Sequence, residues 1–187
     1  MMRIAKATIP AATLLALAAP AHAQDSRPIL AYAALPPVGT TVPAFAFPLL
    51  GGDTVSTASL RGSPAVLALW ATWCSGSRAV LGDIETLAVK YQPQGVRVAI
   101  LADDDLADLQ AYFSQHPVHA VVAQANHGLK PVFDRSATAP ERESHRVEWA
   151  LPLWLVIDAN GVVALREGGP AAVAQIGAVL DSLLAQH

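Results

Sequence analysis

Trp70-Ala-Thr-Trp-Cys-Ser-Gly-Ser-Arg78 joins two segments of different periodicity. Before it, Pro64 to Trp70 is a solid apolar run, the pattern of a central strand covered on both faces. After it, Val80, Ile84, Leu87, Ala88 and Tyr91 recur at helical spacing through residues 77–91. The stretch is therefore a strand-to-helix turn, and it carries Cys74, the only cysteine of the chain. One cysteine cannot close an internal bridge. It is either a buried, inert thiol or one that reacts with another molecule.

Working outward, Gln92-Pro-Gln-Gly95 ends the helix, and Val96 to Leu101 is a second buried strand. A helix is expected from Asp103 to Gln115, with Leu106, Leu109 and Phe113 on one face. Asp103, Asp104 and Asp105 suit a helix N-terminus electrostatically and read as a solvated helix start, not a metal site. Pro117 begins a break, and His119 to Ala123 is a short strand. Residues 126–148 give no clear element and hold a charged patch, Glu141 to Arg146. Leu153 to Asp158 and Val162 to Arg166 flank an Ala159-Asn160-Gly161 hairpin turn. Pro170 to Ala185 is a closing helix with proline in its first turn. At the other end, Phe45 to Leu60 reads as a hairpin around Gly51-Gly52-Asp53. The order ββ, βαβαβ, ββα predicts an α/β domain with a central mixed sheet flanked by helices and an N-terminal β-hairpin.

Residues 1–23 have the form of a secretory signal. Arg3 and Lys6 precede an apolar core from Ala11 to Ala19, and Ala21-His22-Ala23 is a cleavage site before Gln24. The alternative is an uncleaved anchor, although a bilayer span needs about 20 apolar residues. Residues 24–39 contain Pro28, Pro36 and Pro37 and are expected to be an extended, poorly packed leader, with the domain at 40–187. No stable membrane span is expected after signal cleavage. Export places the domain in an oxidising compartment, the periplasm if the source is Gram-negative. The formal net charge of −3 includes Arg3 and Lys6, so the cleaved chain is more acidic still. With no basic stripe, nucleic acid is excluded as an expected partner.

Several stretches together resemble the TlpA/ResA-like branch of exported thioredoxin-fold proteins. They are Val42-Pro-Ala-Phe45, Leu60-Arg-Gly-Ser-Pro64, Leu69-Trp-Ala-Thr-Trp-Cys74, Leu151-Pro152 and Leu155-Val-Ile-Asp-Ala-Asn-Gly161. The resemblance covers roughly residues 40–185 and implies a thioredoxin-like fold. It implies that Cys74 is the catalytic residue, at a helix N-terminus whose free N–H groups and dipole favour a thiolate. It also implies a cis Pro152 facing the cysteine, leaving backbone groups nearby to pair with an extended substrate. Trp73, Ser75, Gly76, Leu151 and Pro152 are the expected groove. A plain trans proline at a strand start is the alternative for Pro152. A peroxiredoxin shares the fold and needs only one reactive cysteine, but that family places threonine three residues before it. Here that residue is Ala71, and Thr72 is off by one.

The chain departs from the WCxxC pattern in ways that all reduce dithiol turnover. Ser77 stands at the second cysteine and either hydrogen-bonds a Cys74 thiolate or caps the helix. Ser75-Gly76 replaces the common Gly-Pro pair. Val80 stands where many relatives have glutamate, and Ala68 where thioredoxin has a buried aspartate. Two functions remain open. One is thiol-disulfide exchange through a single thiol, with a protein disulfide or small-molecule thiol as partner. The other is a non-catalytic peptide-binding module. A Cys74-linked dimer is a third use of the thiol. No cofactor or metal is expected, because His116, His119, His127 and His145 are scattered without ligand spacing. Of the tryptophans, Trp70 and Trp154 are expected in the core, Trp73 in the groove, and Trp149 as a cap over it.

Overall fold

The computed structural model describes residues 35–134 and 150–186. The stretch read as a signal at 1–23, the part of the expected leader up to residue 34, Trp149 and the charged patch at 141–146 lie outside the described residues.

The central strand β3 (Ala65–Trp70) is apolar at every position and fully buried at every position. Side chains of a strand alternate between faces, and here each face meets its own core. Ala65, Leu67 and Leu69 pack with Phe45, Phe47, Phe133 and Leu155. Val66, Ala68 and Trp70 pack with Ile84, Tyr91, Leu109, Trp154 and Ile176. Each fully buried Val or Leu side chain contributes about 1.5–3 kcal/mol of transfer free energy, so a two-faced strand anchors the domain.

Among the described residues, five strands form one sheet in the order β5-β4-β3-β6-β7. They are β4 (Arg97–Ala102), β5 (Val121–Gln124), β6 (Leu153–Ile157) and β7 (Val163–Gly168) around β3. β3–β4 and β4–β5 are parallel, while β3–β6 and β6–β7 are antiparallel. The fold is the expected thioredoxin-like one. The hairpin of β1 (Ala46–Pro48) and β2 (Thr54–Ser56) is a separate antiparallel pair. It touches the sheet edge through a Leu49–Ala123 bridge. Ala68 lies opposite Trp154 in the antiparallel register and faces the same core. A carboxylate at Ala68 would have to share that space with the indole.

Several expected boundaries move. The helix expected over 77–91 is two helices, α1 (Ser75–Ala79) and α2 (Leu81–Tyr91), broken at Val80. The buried Trp70 indole N–H donates to the Ser77 carbonyl at 2.5 Å. The Val80 N–H takes the same carbonyl at 3.3 Å, one residue early. A side chain inserted into the helical ladder is a standard cause of a kink. β5 begins at Val121, not His119. The His119 N–H donates to Glu85 at 2.7 Å and its carbonyl accepts from Gln92 at 3.1 Å, so neither joins the ladder.

The next helix, α3 (Leu106–Gln115), starts three residues later than expected. Asp103 N–H still bonds the Trp70 carbonyl at 2.9 Å, extending the sheet. Leu106, expected on the apolar face, is 44% exposed at the helix start, while Leu109 is fully buried. Part of the unread stretch forms α4 (Leu129–Phe133). The closing segment is a 3-10 turn, Pro170–Ala172, followed by α5 (Val173–Leu184). The stretch read as leader is packed at its end. Leu35 is fully buried, its carbonyl accepts from Arg166 at 2.8 Å, and Gly39 N–H bonds Val163 at 2.8 Å. That segment covers the outer edge of β7, which explains why its backbone is ordered despite the prolines.

Candidate active site

In open α/β sheets, loops at the carboxyl ends of parallel strands form the binding crevice. Three such loops converge here: 71–74 after β3, 103–105 after β4 and 125–128 after β5. Because β6 runs antiparallel to β3, its start lies at the same end, with Leu153 opposite Leu69. This register brings Leu151 and Pro152 to Cys74 across 77 residues of sequence.

Cys74 is the N-cap residue of α1, with extended backbone angles and partial exposure. Its thiol donates to the Leu151 carbonyl at 3.2 Å. The Leu151–Pro152 peptide is cis. Gly76 lies against the same loop. A Cβ built on it would stand 3.2 Å from the Leu151 oxygen, 3.4 Å from Pro152 Cδ and 3.8 Å from Cys74 Sγ. Glycine at this position permits the close approach of α1 to the proline loop. Ser75 is exposed. Cys74, Gly76, Leu151 and Pro152 are thus brought together.

Ser77 is different. It is the third residue of α1, fully buried, and its hydroxyl has no hydrogen-bond partner. Neither expected role is present in the geometry: α1 has no side-chain cap, and the hydroxyl bonds no sulfur. Burial of an unpaired hydroxyl costs about 1–3 kcal/mol, so Ser77 is a destabilising feature of the turn.

The structure adds residues that the sequence reading passed over. Asp104, expected on a solvated helix start, is 5% exposed. Its carboxylate accepts the Thr72 N–H at 2.9 Å and, through its other oxygen, the Thr72 hydroxyl. Burial pushes the Asp104 carboxyl above the ordinary carboxylate range, against the opposing pull of the two Thr72 bonds. The Thr72 carbonyl accepts from Arg78 at 2.6 Å. The readable signal was a run of acids at the carboxyl end of a parallel strand, where one side chain must turn inward.

A sequence profile described as the AhpC/TSA family matches residues 38–166, most of the chain. The chain belongs to the AhpC/TSA family. Among curated proteins, it is 43% identical over 54 residues to the thiol:disulfide interchange protein DsbE of Pseudomonas fluorescens biotype C. That match spans 28% of this chain and only 30% of the relative's length. Among solved structures it resembles a candidate thiol:disulfide interchange protein DsbE from Chlorobium tepidum. The TM-score is 0.65 at 26% identity, over 79% of this chain and 98% of that one. A secreted disulfide oxidoreductase from Mycobacterium tuberculosis shares the fold, with a TM-score of 0.56 at 20% identity over 74% of this chain and 96% of that one. The family match and the Pseudomonas and Chlorobium likenesses support a redox-type function, whereas the Mycobacterium structure supports the fold alone.

Within this AhpC/TSA chain, the threonine beside the cysteine is committed elsewhere. The Thr72 hydroxyl bonds Asp104, and Ala71, three residues before Cys74, is fully buried at the end of β3. Trp73 stands out from the surface at 63% exposure, with its indole N–H on the Asp103 carbonyl at 3.1 Å. It borders a cleft of about 230 Å³ shared with Asp103, Leu129, Lys130 and Leu151. Leu129 and Lys130 of that cleft follow directly on a tight loop in which Asn126 and His127 have positive φ. His127 N–H anchors it to the Asp103 carboxylate at 2.5 Å. A Cβ at Gly128 would stand 2.6 Å from the Ala125 oxygen and 2.8 Å from the Phe47 ring, so only glycine fits. Trp154 is buried, its indole bonded to Gly169 at 2.9 Å. Among the described residues, no helix is long and apolar enough to cross a membrane.

Proposed function

We propose that this protein is an exported, thioredoxin-like thiol-disulfide exchange protein that works through Cys74 alone. The observation that carries the reading is the position of the Cys74 thiol. It is partly exposed, on the Leu151 carbonyl beside a cis proline, with a buried hydroxyl where a second sulfur would stand. Cys74 thiolate attacks one sulfur of a partner disulfide. A Cys74–partner disulfide forms, and the other partner sulfur leaves as thiolate. Ser77 cannot attack that bond, since a hydroxyl is not a nucleophile toward disulfides at neutral pH. External thiols therefore discharge it. The first attacks the Cys74 sulfur, so the partner's second sulfur leaves as thiolate and Cys74 is bonded to the external sulfur. A second external thiol attacks that external sulfur, forming an external disulfide and releasing the Cys74 thiolate, so that two electrons have come from two thiols outside the chain. Ser77 contributes only by leaving the adduct unresolved.

Trp73, Ser75, Gly76, Leu151 and Pro152 form the groove against which a protein disulfide or a small-molecule thiol lies. In a Gram-negative source, the periplasm is the compartment. The experiment is capture in the native compartment, comparing wild type with Cys74→Ala. Adducts that are reducible and absent from the variant support the reading. Partners retained equally by Cys74→Ala would favour a groove that binds peptides without thiol chemistry. A reducible band at twice the chain mass would reveal a Cys74-linked dimer.

A further inference from the structure

Thr72, two residues before Cys74, is held from opposite sides. Asp104 takes its N–H and its hydroxyl, and Arg78 takes its carbonyl. Asp104 comes from the loop after β4, while Arg78 belongs to α1, the helix that Cys74 begins. Together they tie the turn to the sheet on one side and to its own helix on the other. Of the charged residues described, Asp104 is the buried one. A buried carboxylate is costly unless its oxygens are engaged, and here each oxygen engages Thr72. The arrangement lies on the far side of the turn from Leu151 in sequence terms, and it uses none of the groove residues.

We propose that Asp104 is a positioning residue for Cys74: by fixing the Thr72 peptide, it sets the Cys74 sulfur against the Leu151 carbonyl. The inference rests on the reading of Cys74 as the reacting group. It is a claim about geometry and not about charge, which gives it a specific signature. Asparagine at 104 preserves both links. Its amide oxygen accepts the Thr72 N–H, and its NH2 donates to a Thr72 hydroxyl that has turned to accept. Alanine preserves neither.

The test compares wild type, Asp104→Ala and Asp104→Asn in two Cys74 reactions. One is mixed-disulfide formation with insulin, which must lie in the groove. The other is alkylation by iodoacetamide, which need not. Asp104→Ala is expected to lower the insulin-to-iodoacetamide rate ratio about tenfold, since small misplacements of reacting atoms carry large rate losses. It is also expected to speed hydrogen exchange of the Cys74 amide, which bonds the Ala71 carbonyl at 3.3 Å. Asp104→Asn is expected to restore both readouts. If Asp104→Ala fails to fold, Thr72→Val, which removes only the hydroxyl, replaces it. An unchanged ratio and unchanged Cys74 exchange in the alanine variant would overturn the proposal. So would Asn behaving like Ala, which would assign the effect to charge. Should wild type not react with insulin at all, the exchange function is refuted, while Cys74 amide exchange still decides the positioning role.

Discussion

Replacing Ser77 by alanine is expected to stabilise the protein. The hydroxyl is fully buried and has no partner. Removing an unsatisfied buried hydroxyl recovers about 1–3 kcal/mol. Alanine is also the better residue inside a helix, by a few tenths of a kcal/mol. Against this stands the loss of one packed oxygen. The void is small, on the order of 20 Å³, and costs roughly 0.5 kcal/mol at the usual cavity slope. The balance is about 1–3 kcal/mol in favour of Ser77→Ala, which for a chain of this size is a rise of roughly 2–12 °C in Tm. Thermal unfolding and urea titration of wild type and variant measure it directly. A Tm lowered by several degrees would refute the reasoning, because it would mean that the hydroxyl has a bonding partner. If iodoacetamide reactivity of Cys74 also fell, that partner would be the sulfur, and Ser77 would be acting in the chemistry after all.

Leu35→Ala is expected to cost about 2–5 kcal/mol by equilibrium unfolding, the usual loss for emptying a filled core site, because Leu35 is fully buried. A neutral result would restore residues 35–39 to the leader. Tyr91→Phe should cost about 1 kcal/mol. The tyrosine hydroxyl ties α2 to α5 through Asp181 at 2.8 Å and Gly177 at 3.1 Å. Asp104 gives a pH signature. Its carboxyl is raised by burial, so its protonated form is the one the fold favours. Its contribution to stability is greatest below the ordinary carboxylate value and is lost as pH rises through the raised one. Asp104→Asn lacks this dependence. The stability advantage of the variant should therefore be largest near neutral pH and shrink on acidification, as read by urea midpoints. A constant difference would contradict the assignment.

The strand-to-helix turn was legible because its neighbours differ so sharply in pattern. Pro64 to Trp70 is apolar throughout, and the residues after Cys74 carry helical spacing. The mixed sheet followed from the order of elements. What failed was local and had side-chain causes. No periodicity announces that the Trp70 indole takes the Ser77 carbonyl, so the kink at Val80 was hidden. Glu85 and Gln92 withdraw His119 from β5 by bonds across more than 25 residues. Asp104 looked like its neighbours Asp103 and Asp105, and only the position of Thr72 separates it from them. Leu35 sits among prolines and alanines, a composition that gave no hint of a place in the core. The proline loop was found through family resemblance. Its contact with Cys74 arises from the β3–β6 register, which sequence spacing does not encode.

The most direct test of the central claim is the discharge of a Cys74 mixed disulfide. Purified protein is loaded with a disulfide peptide, freed of excess reagent and followed by intact mass as glutathione is varied. Single-thiol chemistry predicts an adduct that persists without glutathione and decays at a rate proportional to its concentration. Ser77→Cys is expected to release the peptide with no added thiol, because an internal sulfur acts at a high effective concentration. Rapid release from the wild type without glutathione, leaving a free Cys74, would reveal a second redox group and contradict the account.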